Sequence, residues 1–132
     1  MGQAAQANAE VIVVGAGPGG SVAASALARR GRRVLLLEAC SFPRDKVCGD
    51  VLLPQVDLAL CAIGTSLAAL ASDAQEIHGG MYTTPGGRRI VGNFCDVRGF
   101  LHFWRVLPRR VFDQRLAPVS YTHLTLPTTP YV

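Results

Sequence analysis

The sequence predicts an α/β chain: a parallel βαβ unit whose sheet is incomplete, followed by the start of a β-rich layer. Three observations predict it. A short apolar run, Glu10-Val-Ile-Val-Val14, leads into the glycine turn Gly15-Ala-Gly17-Pro-Gly19-Gly20. An Ala-rich stretch follows and is closed by Gly31. A second apolar run from Arg33 then ends in an acid, Glu38. Parallel strands need a crossover connection, and a helix between the two runs supplies it.

Glu10 to Val14 is β-branched and without polar alternation, as expected of a parallel strand buried on both faces. Each glycine after it has a physical task. Gly15 makes the tight turn off the strand, Gly17 presents no Cβ to a phosphate, and Gly20 lets the helix pack closely. The amides of the helix start, Gly19 among them, face an anion where the helix dipole favours negative charge. Pro18 to Arg30 is the predicted helix, with Val22, Ala23, Ala26 and Leu27 toward the sheet and Gly31 as its stop. Arg33 to Glu38 is the second buried strand. Glu38 at its end is placed to accept hydrogen bonds from both hydroxyls of an adenosine ribose, which completes a Rossmann-like dinucleotide-binding pattern. A carboxylate there disfavours NADP, whose 2′-phosphate it repels.

Ser41 to Gly49 reads as a polar loop. Pro54 to Ile63 reads as a helix, with Val56, Leu58, Ala59 and Leu60 for its buried face and Gly64 as its stop. Thr65 to Ala71 reads as a short helix capped by Thr65 or Ser66. From Gln75 the pattern turns to strands: Glu76 to Thr84 and Arg88 to Gly92, joined by Pro85-Gly-Gly87. His78, alone in a strand, reads as a surface residue rather than a ligand or base. Phe100, Phe103 and Trp104 read as core or as the wall of a substrate pocket. Pro108 to Leu116 begins a helix, with the proline suited to its first turn. The expected organisation is a flexible lead-in (1–9), a dinucleotide-binding βαβ region (10–74), the start of a substrate-domain β-layer (75–107), a helix returning to the first domain (108–117) and a tail (118–132).

Composition narrows the function. With 49% hydrophobic and 17% charged residues among 132, the chain is not of the disordered class. The net charge of +4 comes almost wholly from arginine, Lys46 being the only lysine. Those arginines are dispersed and carry no interleaved aromatics, which argues against nucleic acid. Cys40, Cys48, Cys61 and Cys95 contain no CxxC pair and no histidine at zinc spacing. They read as reduced thiols with no metal site. No signal peptide or apolar membrane span is legible, so a cytoplasmic location is expected.

The stretch Phe42-Pro-Arg-Asp-Lys-Val-Cys-Gly-Asp50, together with the glycine turn, Glu38, Leu53-Pro54 and Val106-Leu-Pro-Arg109-Arg-Val-Phe-Asp113, resembles the N-terminal part of the geranylgeranyl reductase family. That family consists of FAD-dependent oxidoreductases built like the aromatic hydroxylases and flavin-dependent halogenases. The resemblance covers roughly residues 10–117. It implies FAD as cofactor, with Gly15, Gly17, Gly19, Gly20, Glu38 and Ala39 at the adenosine diphosphate half. It places Arg44, Lys46, Cys48, Gly49 and Asp50 in a loop near the flavin and gives Arg109 as a further contact. Arg44 and Lys46 offset pyrophosphate charge, and a turn at Cys48-Gly49 lets the backbone approach a flat ring. Cys48 is the candidate catalytic group, tuning or protonating the flavin; a small packing residue is the alternative reading. The family's Gly after the aspartate is replaced here by Val51.

The reaction that the resemblance implies is hydride transfer from reduced FAD to a carbon–carbon double bond of a polyprenyl chain, in a geranylgeranyl-type lipid or a quinone side chain. Peripheral membrane contact of the longer protein is compatible with such a substrate. Two alternatives stand beside it: a halogenase or aromatic monooxygenase of the same build, and a non-catalytic dinucleotide-binding module. The loop from Phe42 to Asp50 speaks for FAD over NAD. Pro118 to Thr128 matches the in-frame translation of a transposase sequencing-library adapter over eleven consecutive residues. The natural sequence is therefore expected to end near Ala117, and the chain as written is not expected to be catalytically competent.

Overall fold

Four consecutive β-branched residues favour extended backbone, and β1 (Val11–Val14) forms there, pairing in parallel with β2 (Val34–Leu37) from Val11↔Val34 to Val14↔Leu37. The computed structural model describes residues 9–94 and 103–121. Residues 1–8 of the lead-in, Cys95, Phe100 and the tail from 122 onward lie outside the described residues.

The crossover is α1 (Pro18–Arg29), with Pro18 in its first turn and Gly31 left-handed at φ 78° beyond it. Its buried residues are Ser21, Ala24 and Ser25, and Ala23 is exposed, which corrects the expected sheet-facing set. The serines look polar in sequence, but Ser21 Oγ donates to the Ala16 carbonyl (3.0 Å) and Ser25 Oγ to that of Ser21 (2.7 Å). Satisfied in this way, a serine is as small as the packing needs. Ala24, Leu27 and Ala28 pack with Val34 and Leu36, while Val22 and Ala26 turn toward a second core.

That second core is built by α2 (Gln55–Ala62), α3 (Leu67–Leu70) and α4 (Arg109–Tyr121) around Leu60, Ile63, Leu67, Phe112 and Leu116. In α2 the inward positions are Val56 and Leu60, with Ile63 following. Leu58, two residues from Leu60 and so across the helix, is 61% exposed, and Ala59 is exposed as well. Ser66 caps α3, its Oγ accepting the Ala69 amide at 3.1 Å. Helix α4 continues through Pro118, where the sequence predicted a stop. Buried Leu116, Ala117 and Ser120 hold that turn in place, and Ser120 Oγ donates to the Ala117 carbonyl at 2.6 Å.

The remaining strands form two small sheets. In one, β7 (Trp104–Val106) lies between β3 (Val51–Leu52) and β4 (Gln75–Ile77), antiparallel to both. The other is the hairpin of β5 (Gly79–Thr83) and β6 (Arg89–Asn93). The strand expected from Glu76 to Thr84 is thus split at His78 between two sheets. Gly79 permits the switch, since a Cβ there would stand 2.7 Å from the Gly92 carbonyl oxygen. His78 is exposed, and its ring lies 5.6 Å from that of Phe103. Trp104 is half-buried and stacked on Phe94 at 4.1 Å.

The expectation that β1 is covered on both faces does not hold. Ile12 is 61% and Val14 82% exposed, because only the face of Val11 and Val13 meets α1. No described helix is long and apolar enough to cross a membrane.

The turn between β1 and α1 is the tightest point of the fold. A Cβ on Gly20 would lie 1.8 Å from the Gly15 carbonyl oxygen, whereas one on Gly19 would meet nothing within 4 Å. Gly20→Ala is expected to cost about 1–3 kcal/mol through forced backbone shift. Gly19→Ala is expected to be neutral or to stabilise by up to about 1 kcal/mol. Urea midpoints of the two variants check this, and equal midpoints contradict it.

Candidate functional site

The end of β1, the start of α1, the end of β2 and the start of α4 meet over Gly17. Gly15 takes φ 95°, a left-handed geometry that suits glycine, and its amide donates to the Leu37 carbonyl at 2.7 Å. This joins the elbow to the end of β2, where Glu38 stands. Glu38 Oε2 accepts the Ala16 amide at 2.8 Å and Arg44 Nη2 at 3.1 Å. Its Oε1 accepts the amides of Ala39 (3.1 Å) and Cys40 (3.3 Å). Partial burial pushes the Glu38 carboxyl up. The Ala16 amide, the Arg44 guanidinium and the Cys40 amide outweigh that and leave it below the usual carboxylate value.

Arg44 reaches from the loop across to α4. Its guanidinium lies 5.0 Å over the Phe42 ring, and its Nη1 is 3.4 Å from Asp113 Oδ2. Arg109, in the first turn of α4, holds the same carboxylate by a fork: Nε to Oδ1 at 2.8 Å and Nη2 to Oδ2 at 2.9 Å. The Asp113 hydrogen bond is the chief reason that Arg109 is held more basic than usual. Asp113 itself is 1% exposed. Seen from Gly17, both arginines face the glycine, because a Cβ there would lie 3.6 Å from Arg109 Nη2 and 3.6 Å from Arg44 Nη2. The turn therefore presents bare backbone beneath two cations.

Cys48 and Asp50 join the loop to α4. Asp50 is left-handed at φ 58°, its carbonyl accepts the Leu107 amide (3.0 Å), and its Oδ1 accepts the Arg109 amide (2.9 Å). A side chain from a distant loop thus supplies an acceptor to the N-terminal turn of α4. Val51 opens β3, in extended backbone that any side chain adopts. The exposed Cys48 thiol is lowered by the Asp50 amide first and by Arg109 second. Cys40, Cys48 and Cys61 are free and exposed, and the described residues contain no cluster able to hold a metal. Of the sequence-stated candidates, Gly15, Gly17, Gly20, Glu38, Arg44, Cys48, Asp50 and Arg109 come together here. Ala39 contributes an amide to Glu38, while Lys46 and Gly49 are exposed and Lys46 enters no ion pair of the described cluster. Asp113, which the sequence shows only as the end of the Val106–Asp113 stretch, was given no site role there; the signal was an acid four residues after Arg109 on a predicted helix.

The arrangement suits a dinucleotide. Arg44 Nε is buried with no hydrogen-bond partner among the described residues, a donor that the cluster leaves unpaired. Comparison with known proteins agrees. The family model for an NAD(P)-binding Rossmann-like domain matches residues 13–51. A menaquinone reductase of Mycobacterium tuberculosis is 53% identical over 57 residues, 43% of this chain and 14% of the relative. A digeranylgeranylglycerophospholipid reductase of Methanothrix thermoacetophila is 34% identical over 116 residues, 82% of this chain and 26% of the relative. A solved geranylgeranyl bacteriochlorophyll reductase-like protein of Thermoplasma acidophilum superposes with a TM-score of 0.67 at 27% identity, covering 87% of this chain and 28% of its own. The chain spans between 14% and 26% of the length of these two curated relatives.

Two outcomes follow from the electrostatics. Because the folded Glu38 value lies below its unfolded one, its contribution to stability is present above about pH 4.5 and is lost as the pH falls through the folded value. Glu38→Gln is expected to flatten that part of the acid dependence of the urea midpoint; an unchanged slope contradicts the ion pair. Cys48 is expected to be alkylated with a pH profile below that of a free thiol, and Arg109→Gln to move the profile upward. Mass-spectrometric rates across pH read this directly.

Proposed function

We propose that this chain is the FAD-binding part of an oxidoreductase that reduces carbon–carbon double bonds of a polyprenyl chain, a reading supported by its similarity to a menaquinone reductase, a digeranylgeranylglycerophospholipid reductase and a geranylgeranyl bacteriochlorophyll reductase-like protein. The observation that carries the cofactor assignment is the pair of guanidiniums facing the bare backbone of Gly17, with the Glu38 carboxylate beside the same turn. A diphosphate needs cations and unobstructed amides, and an adenosine ribose needs an acceptor at the end of β2. Arg44, Arg109, the glycine turn and Glu38 are proposed for those tasks.

Once bound and reduced, FAD would supply the hydride. The protein's part is to bind and orient. Arg44 and Arg109 donate charge-assisted hydrogen bonds to the diphosphate, and Glu38 accepts the ribose hydroxyls while the Ala16 amide keeps its carboxylate in place. The loop from Arg44 to Asp50 is anchored to α4 through Asp50, which fixes where Cys48 stands. Cys48 Sγ, exposed and lowered by its neighbours, is the loop's candidate proton carrier. Two relatives support the proposed substrate class: one is named for menaquinone and the other for digeranylgeranylglycerophospholipid, and both molecules bear isoprenoid chains. Spanning a minor share of those proteins, the chain on its own is proposed not to turn over.

Titration of FAD into the chain, followed by quenching of flavin fluorescence, tests the cofactor. Glu38→Ala and Arg44→Ala are each expected to weaken binding about tenfold, the scale of one charge-assisted contact. Binding indifferent to both substitutions sinks the assignment. For the reaction, the protein of the full reading frame is reduced and given menaquinone. A gain of two hydrogens in the side chain supports the proposal, while a halogenated or hydroxylated product overturns it.

A further inference from the structure

Asp113 has as its described polar partners Arg44 and Arg109, the two cations above the glycine turn. Its carboxylate is almost wholly shielded from water. It takes both forks of Arg109 and one of Arg44. Neither arginine has another described carboxylate on α4, and among the described residues the acid on the far side of Arg44 is Glu38. Isolated in a poorly solvated site, two guanidiniums repel each other and turn toward water. A single buried acid between them reverses this and fixes both planes at once. Replacing the pair by apolar side chains is often no loss to stability, so stability alone gives little reason for a buried triad. Holding two donors in one place does.

We propose that Asp113 is a positioning residue for the diphosphate of the nucleotide: it aligns Arg44 and Arg109 over Gly17 without contacting the ligand. The inference rests on the nucleotide reading of this site and adds to it a specific division of labour. Asp113 acts on the diphosphate and leaves the adenosine end, held through Glu38, untouched.

The test compares ADP with adenosine on the whole 132-residue chain, both followed by ligand-observed NMR. For D113N, ADP affinity is expected to fall about tenfold or more while adenosine stays within about twofold, as the loss of aligned charge-assisted bonds implies. A variant damaged only in its fold loses both ligands together, and that result overturns the proposal, as does unchanged ADP binding. Where D113N fails to fold, D113E keeps the charge but displaces the guanidiniums, and the same split between ADP and adenosine is expected. If the unaltered chain binds no ADP, the nucleotide reading itself falls and the positioning role falls with it. If it binds ADP but D113N shows no split, only the positioning role fails.

Discussion

The line of charges from Glu38 through Arg44 and Asp113 to Arg109 is the constraint on which the rest of this structure depends. It runs from the end of β2 across the loop to the first turns of α4, and it passes over Gly17 on the way. Opposite charges alternate along it, so the row is neutral as a whole. Each interior member is held from two sides. Burying four ionised groups is costly, and only close geometry offsets the desolvation. The backbone supplies part of that geometry. The Ala16 amide fixes Glu38, and the amide of Arg109 is fixed by Asp50. The charged row and the glycine elbow therefore define one another.

The packing explains how so small a chain sustains this. Helix α1 serves both cores, placing Ala24, Leu27 and Ala28 on the β1–β2 sheet and Val22 and Ala26 against the core of α2, α3 and α4. Its small side chains allow α4 close enough for Arg109 to stand over the turn that precedes α1. Arg115 braces α4 from the other side, forking to Asp73 and donating to the Leu70 carbonyl at 3.0 Å. Asp73 is correspondingly acidic, lowered to about 2 chiefly by that arginine. At the solvent-exposed end such a pair adds little energy; its effect is on the direction of the helix.

What was legible in the sequence was local. The glycine turn, the capping of α3 by Ser66 and the acid ending β2 depend on neighbours within a few residues, and each follows from backbone chemistry. The faces of the helices were less legible. In α1 the serines are inside and Ala23 is outside, because a hydroxyl that bonds back to the preceding turn or to its own helix no longer behaves as polar. In α2, Leu58 is exposed because neighbouring helices, not hydropathy, decide which side turns inward. The pairing of Arg44 with Asp113 was invisible for a different reason. It joins a loop to a helix far along the chain, and spacing says nothing about such contacts. The Arg109–Asp113 half was readable as an i,i+4 pair, and it leads to the rest.

Burial in this chain is distributed against the usual order. Valine, isoleucine and methionine stand in water at Ile12, Val14, Met81, Ile90 and Val91, whereas an aspartate is enclosed and two arginines are largely shielded. Ordinarily the apolar groups are inside and the charges outside. The inversion marks where the described structure is self-sufficient. Cover is nearly complete around Asp113, where α1 and α4 meet, and partial over Gly17 and the two cations; among the described residues it is missing on the outer face of β1 and on the hairpin. A ligand that engages the turn, Glu38 and both arginines at once binds only the folded arrangement of these distant segments. By mass action such binding strengthens the fold that creates it. The nucleotide, in this reading, is part of what holds α4 to the βαβ unit, and the charged row is how that coupling is transmitted.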